Sequence, residues 1–261
     1  MPEPSETFDA GMSRWQDLRN APWGRLRYGQ AEANLARHLG EAPLRVLDLG
    51  GGDGADAIRL ARSGHRVSIV DYSAEMLAGA EQEFAAAGLS DRLTVQQADV
   101  DGFTSAETFD LVLCHNLIQY SPDPAATLAT AAAALRPGGL LSVIAINKHA
   151  IPLRKATMEL DPAAGLAAVD AEQARAGTFE TNLRPYTAGQ VLEWLAPLGH
   201  RAEGHYGIRA VSDLINDNER KHDPAFFADL ERLELRLADL MPYPLIARFF
   251  HLVSRALDNR R

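Results

Sequence analysis

Residues Leu44 to Met76 read LRVLDLGGGDGADAIRLARSGHRVSIVDYSAEM, and their order is strand, glycine turn, helix, second strand, acid. Leu44, Val46 and Leu47 make a short apolar run, and Asp48 closes it just ahead of Gly50, Gly51 and Gly52. A turn without Cβ atoms lets backbone N–H groups approach a ligand closely. Ala55 to Arg62 has helical composition, with Ala57, Leu60 and Ala61 on one face and Gly64 as its stop. His65 to Val70 then alternates as a buried strand does and ends at Asp71. Gly52 and Asp71 stand at roughly the 20-residue spacing at which a βαβ nucleotide site offers an acid to ribose hydroxyls.

A dinucleotide turn prefers G-x-G-x-x-G and lacks an acid just before its glycines. The register here is Asp48-x-Gly50-x-Gly52-x-Gly54. It resembles motif I of the class I S-adenosylmethionine (SAM) methyltransferases. That resemblance implies SAM as cofactor and S-adenosylhomocysteine as product.

The rest of the chain bounds the reading. Its 261 residues suit one α/β domain, alone or with an appended subdomain, and 46% hydrophobic content is ample for a large core. No apolar run reaches the length of a membrane span, and MPEPSETFDAGM lacks the basic and apolar regions of a secretory signal. The single cysteine, Cys114, makes neither an intramolecular disulfide nor a multi-thiolate metal site, so a cytoplasmic protein without a metal is expected. A net charge of −9 argues against a generic nucleic-acid binder, although it leaves room for a local basic groove.

In chain order, residues 1–12 are expected to be poorly ordered without ligand. SRWQDLRNAPWGRLRYGQAEANLARHLG follows from Ser13, with a helix expected from Gly24 to Leu39 and Gly40 as its C-cap. An arginine in this segment suits a methionyl carboxylate as a bidentate partner. Ser73 is the N-cap candidate of a helix that Gly88 ends, and Met76 is placed to lie over an adenine or to fill core. A third strand, Leu93 to Gln97, runs into Ala98, Asp99 and Val100, where an acid suits an adenine amine. Phe109 to His115 is the fourth strand, and an alanine-rich helix follows over 125–135. Arg136-Pro137-Gly138-Gly139 reads as the turn between that helix and a fifth strand, Leu140 to Ile146. Residues 147–185 show no strand pattern and read as short helices. Thr187 caps a helix to Leu198, His200 to Val211 is strand-like, 213–239 is charged and helical, and Phe249 to Ser254 is expected as a last strand on the sheet edge.

With these landmarks the chain resembles the bacterial tRNA carboxymethoxyuridine methyltransferases over most of its length. The likeness is carried by GRLR at 24–27, LRVLDLGGGDG at 44–54, FDLVLCHNLIQY at 109–120, LRPGGLLSVIAIN at 135–147 and YGIRAVSDL at 206–214. It implies a Rossmann-like α/β fold: a seven-stranded, mostly parallel sheet flanked by helices, with an inserted helical lid. The implied divisions are 1–43 over the cofactor site, 44–146 as the SAM-binding core, 147–185 as lid and 186–261 completing the sheet. Motif by motif it puts Arg27, Gly51, Gly52, Asp71, Ala98, Asp99 and His115 at that family's cofactor positions, and Asp48, Gly50, Tyr72, Met76 and Val100 complete the cofactor-binding candidates. Tyr120, Arg154 and Arg209 are substrate candidates. His115 is the candidate catalytic group, with His149 as another possible base for a hydroxyl acceptor; an ionised carboxylate acceptor needs none.

One departure matters. The corresponding lid resembles a strongly basic segment, whereas residues 159–181 here hold only Arg175 as a basic residue. The acceptor expected is therefore a carboxylate or hydroxyl on a small molecule, with methyl esterification of carboxymethoxyuridine in tRNA as the alternative. A SAM-binding protein without methyl transfer is a third reading.

Overall fold

The computed structural model describes residues 17–175 and 182–257. The expectation of a poorly ordered start falls on residues outside this range, as do Ser13 to Gln16. Helix α1 spans Pro22–Ala36, with proline at the position where its missing N–H costs nothing. It ends at Arg37 with right-handed backbone, earlier than the expected Gly40 cap, because the chain already turns at 37–38. Strand β1 (Arg45–Leu49), helix α2 (Ala57–Arg62) and strand β2 (Arg66–Asp71) follow the opening motif. Helix α3 (Ala74–Ala86) is capped by Ser73, whose hydroxyl accepts from the Met76 N–H at 3.1 Å. Gly88 leaves this helix with φ +69°, a value that favours glycine.

Strands β3 (Leu93–Gln97), β4 (Phe109–His115) and β5 (Leu135–Ile146) complete the parallel part, with helix α4 (Pro124–Ala133) between the last two. Helices α5 (Ala150–Thr157) and α6 (Pro162–Val169) come next, then the two-residue strands β6 (Ala174–Arg175) and β7 (Asn182–Leu183). Helix α7 (Ala188–Leu195) opens on a capping box made by Thr187 and Gln190. Strand β8 (His200–Ile208), helix α8 (Pro224–Leu237), the short α9 (Tyr243–Ile246) and strand β9 (Phe249–Ala256) finish the chain.

The seven strands run in the order β3-β2-β1-β4-β5-β9-β8. Strands β1 to β5 are parallel, and β9 is antiparallel to both β5 and β8. The chain order reverses between β1 and β4, so the crevice beyond their carboxyl ends is where this topology places a ligand. Alternation along the strands divides the core between two faces. Leu47, Leu49, Val112 and Cys114 pack on the side of α4 and α7. Val46, Leu111 and Leu113 pack with Leu60, Ile69 and Phe84 on the side of α2 and α3. Among the described residues no helix is long and apolar enough to cross a membrane.

Three sequence expectations need correction. Arg136-Pro137-Gly138-Gly139 does not lie between helix and strand but inside β5: Phe109 pairs with Leu135 and Leu111 with Leu140, so the four residues form an irregular excursion of the strand. Phe249–Ala256 is an interior strand rather than an edge, and burial on both faces explains why its apolar alternation is weak. The 147–185 segment does contain strand, a two-residue antiparallel pair between Ala174–Arg175 and Asn182–Leu183.

Candidate active site

The glycine turn sits at the carboxyl end of β1, and each glycine does different work. The Gly50 N–H donates to the Val70 carbonyl at 2.7 Å, which ties the turn to β2. A Cβ on Gly51 would sit 2.7 Å from Asp48 Oδ2, so the buried carboxyl group of Asp48 curls directly beneath the turn. A Cβ on Gly52 would meet nothing nearer than the Met76 sulfur at 3.8 Å, which makes Gly52 the open side of the cradle. Gly54 is the packing glycine: its φ is +73°, and a Cβ there would approach Ile69 Cδ1 to 2.9 Å and Ala80 Cβ to 3.3 Å. Gly54→Ala is therefore expected to cost about 1–3 kcal/mol, since it combines left-handed backbone with an overfilled contact. Urea unfolding checks this; a variant as stable as the parent would show that the turn can relax.

Asp71, at the end of β2, accepts from the Gly52 N–H on one oxygen and the Ser73 N–H on the other, both at 2.9 Å. Together with the Tyr72 N–H these bonds fix the carboxylate, which keeps lone-pair capacity for a diol. Burial raises its pKa, against the opposing pull of those N–H groups. Next to it, the Ala98 N–H donates to the Asp71 carbonyl at 3.0 Å, and the Tyr72 carbonyl accepts from Gln97 at 3.0 Å. Met76 and Val100 are buried, Ala98 is half-buried and Asp99 is exposed, its carboxylate accepting from the Asp101 N–H.

Sequence reading missed the acids inside the motif. Asp53 is paired with Arg19 at 2.8 Å. Asp56 takes Arg27 Nη1 on both oxygens, at 2.6 and 2.5 Å. Asp48, Asp53, Asp56 and Asp71 thus crowd one turn, and Asp48 and Asp71 make no ion pair among the described residues. Asp48 Oδ2 is also buried without a hydrogen-bond partner there, and burial together with Asp56 raises the Asp48 pKa well above the usual value. Anionic pyrophosphate meets repulsion in such a pocket. A nucleoside carrying positive charge complements it.

His115 joins this cluster from the end of β4. Its Nδ1 lies 3.0 Å from Asp56, its Nε2 lies 2.7 Å from Ser142 Oγ, and Ser142 Oγ lies 2.9 Å from His251 Nε2. The proton positions follow by inference from the partners. Asp56 only accepts, because Arg27 and His115 overcome burial and hold its pKa low. His115 Nδ1 therefore carries a hydrogen, its Nε2 accepts from the Ser142 hydroxyl, and His251 donates to Ser142. Burial lowers the pKa of both imidazoles, which keeps them neutral.

The substrate candidates gather elsewhere on the same edge of the sheet, where β5 and β8 end and β9 begins. Arg154 of α5 and Arg209, just past β8, both bond to Asp213, Arg154 at 3.1 Å. Arg248, absent from the sequence reading, stands 3.8 Å from the same carboxylate. Tyr120 packs nearby with Ile146 and Phe249. Asn116, another position not anticipated, follows β4 with φ +56° and an unpartnered buried side-chain oxygen among the described residues. No group of acids, histidines and cysteines suited to a metal occurs among the described residues.

The chain is similar to known methyltransferases. A methyltransferase-domain family model matches residues 46–139, from β1 into the irregular part of β5. The tRNA 5-carboxymethoxyuridine methyltransferase of Escherichia coli is 31% identical over 248 residues, covering 91% of this chain and 90% of the relative. The ubiquinone biosynthesis O-methyltransferase of Psychrobacter cryohalolentis is 32% identical over 124 residues, covering 47% of the chain and 48% of the relative. Among solved structures, the Synechocystis magnesium protoporphyrin IX methyltransferase with bound S-adenosylhomocysteine superposes with a TM-score of 0.64 at 14% identity, covering 95% of this chain and 94% of that one. At that identity the likeness speaks for the fold.

Proposed function

The chain belongs to the class I SAM-dependent methyltransferases, in the family of the tRNA 5-carboxymethoxyuridine methyltransferases, and we propose that it esterifies a carboxylate oxygen of its acceptor. The observation that carries the acceptor type is the state of His115. Both of its ring nitrogens are engaged, by Asp56 and by Ser142, and the ring is buried and neutral. A hydroxyl acceptor calls for a general base, a role for which His115 offers no free lone pair and for which His149 is exposed, whereas a carboxylate is ionised at neutral pH. In this reading His115 is a positioning residue that locks Asp56, and through it Arg27.

The residues suit SAM on physical grounds. Asp71 is oriented for the ribose diol, Gly52 opens the cradle beside Met76, and the unpaired Asp48 suits the methionyl ammonium. Arg27 is the candidate partner of the methionyl carboxylate, and Ala98, Asp99 and Val100 are the adenine candidates. The bound cofactor supplies a methyl sulfonium electrophile. The chain's part is to hold the acceptor oxygen in line and keep the approach dry, with the described residues 147–175 and 182–185 as the candidate cover.

The match over nine-tenths of both chains favours a carboxylate on a modified tRNA uridine. A small carboxylic acid is the second reading, favoured by the acidic stretch that holds Glu159, Asp161, Asp170 and Glu172. Incubation with methyl-labelled SAM and either tRNA bearing the carboxymethoxy group or a panel of small acids tests both. Label released by mild alkali is expected, because methyl esters hydrolyse and methyl ethers or amines do not. Alkali-stable label would overturn carboxylate transfer, and failure of SAM to bind in calorimetry would overturn the function as a whole.

A further inference from the structure

Arg154, Arg209 and Arg248 converge on one carboxylate, that of Asp213. Asp213 is buried, and its three cationic neighbours outweigh burial and hold its pKa low. Three guanidiniums against one carboxylate leave positive charge over, and the only further acid in contact is Glu159, 3.8 Å from Arg154 among the described residues. Lys221 adds a further buried ammonium, already bonded to the Ile215 carbonyl and to Asn218.

The surplus is concentrated at Arg248. Its guanidinium donates no hydrogen bond among the described residues, and its sole ion-pair contact is the long one to Asp213. Burial lowers its pKa to about 10, with Asp213 opposing and Arg154 and Arg209 adding to the shift. Its side chain keeps 22% of its surface exposed, so a ligand can reach it. Arg209 and Arg248 both lie over the Phe249 ring, 5.6 and 5.7 Å from its centroid, which sets the two guanidiniums beside one apolar floor.

The loop that presents Arg209 is built to stay put. Arg209 has φ +62°, a conformation non-glycine residues rarely adopt. Its N–H donates to Gln30 Oε1 at 2.9 Å and its carbonyl accepts from the Arg248 N–H at 3.2 Å. Glu234, fully buried on α8, accepts from the N–H groups of Ala210, Val211 and Ser212 at 2.8, 3.0 and 2.7 Å. Three consecutive donors satisfied by one buried carboxylate fix the backbone leading to Asp213. Strain held in this way marks a constraint that general packing does not need.

We propose that Arg154, Arg209 and Arg248, gathered by Asp213, form an oxyanion-binding subsite for the acceptor, with Arg248 as its specificity-determining residue. The proposal rests on the reading of an anionic acceptor above. Planar guanidiniums suit carboxylate and phosphate alike through paired N–H donors. The anion is then either the carboxylate to be methylated or a phosphate of the nucleotide that carries it.

Calorimetry on the full chain separates these sources with two probes: the nucleoside 5-carboxymethoxyuridine, which has a carboxylate and no phosphate, and uridine 5′-monophosphate, which has the reverse. Arg248→Met is expected to weaken binding of one of them at least tenfold, with Arg248→Lys recovering part of the loss. Loss for the nucleoside assigns the subsite to the carboxylate, and loss for the monophosphate assigns it to the phosphate. Should Arg248→Met unfold, Arg154→Met carries the same expectation. Unchanged affinity for both probes in a folded variant, or no binding of either to the wild type at millimolar concentration, overturns the subsite. A parallel titration with SAM keeps the two proposals apart: SAM binding that survives in Arg248→Met shows that any loss lies on the acceptor side.

Discussion

Asp56→Ala is expected to destabilise the protein by about 3–5 kcal/mol, because it strands a buried guanidinium. Asp56 holds Arg27 through both carboxylate oxygens and His115 through one, and the Arg27 side chain is only 6% exposed. Arg27 Nε is already buried with no hydrogen-bond partner among the described residues, and once Asp56 is gone the nearest acid acting on Arg27 is Asp48, which makes no ion pair with it. Asn in place of Asp56 recovers little: its amide nitrogen turns a donor toward either Arg27 or the hydrogen on His115 Nδ1. The double variant Arg27→Met, Asp56→Ala is expected to be more stable than Asp56→Ala alone, since no buried charge then lacks its partner. Urea unfolding of the four proteins closes the cycle. A loss below about 1 kcal/mol for Asp56→Ala, or additive single effects, would show that water reaches Arg27 and that the pair stabilises little.

The same pair shows where sequence reading stops. The strands and helices of residues 44–115 were legible because apolar alternation, glycine stops and the Ser73 cap are local signals. Arg27 and His115 were anticipated through family resemblance, but Asp56 between them was not. Its partners lie 29 residues before and 59 residues after it, and nothing in the string GADA marks that meeting. Arg248 is hidden for the same reason, since Asp213 and Arg154 reach it only after β5, β8 and β9 have assembled. The misplaced elements share a cause as well. Pro137 and the two glycines after it carry a strong turn signal, yet β4 tolerates them as an excursion of β5. Whether Phe249–Ala256 lies at the edge depends on β8 choosing it as a partner, a pairing that neither sequence segment encodes by itself.

Acidification from pH 7 toward pH 5 is expected to lower stability through histidines whose charge the fold disfavours. His38, His65, His115, His200, His205 and His251 all have pKa values lowered by burial, His251 furthest. The unfolded chain, with histidines near 6.5, binds protons before the folded chain does. Stability is then complete above about pH 6.5 and is lost as pH falls toward the folded values, by up to about 1.4 kcal/mol per pH unit for each histidine still neutral in the fold. Asp48, Asp71 and Glu234 act with the opposite sign, because their raised pKa values let the folded state take up protons first on the way down from neutrality. A single-site comparison separates the two contributions. His251 faces His115, Arg27 and His38, which disfavour its charge, and Asp56, which favours it; its Nδ1 has no partner among the described residues. Gln at position 251 keeps a donor for Ser142 and removes the titration. Relative to wild type, His251→Gln is expected to be less stable at pH 7.5 and to lose stability less steeply between pH 6.5 and 5.5. The difference in slope should approach one proton, about 1.4 kcal/mol per pH unit. Parallel stability profiles for the two proteins would mean that His251 titrates alike in the folded and unfolded states, and a neutral His251 at the end of the Asp56–His115–Ser142 chain would have to be abandoned.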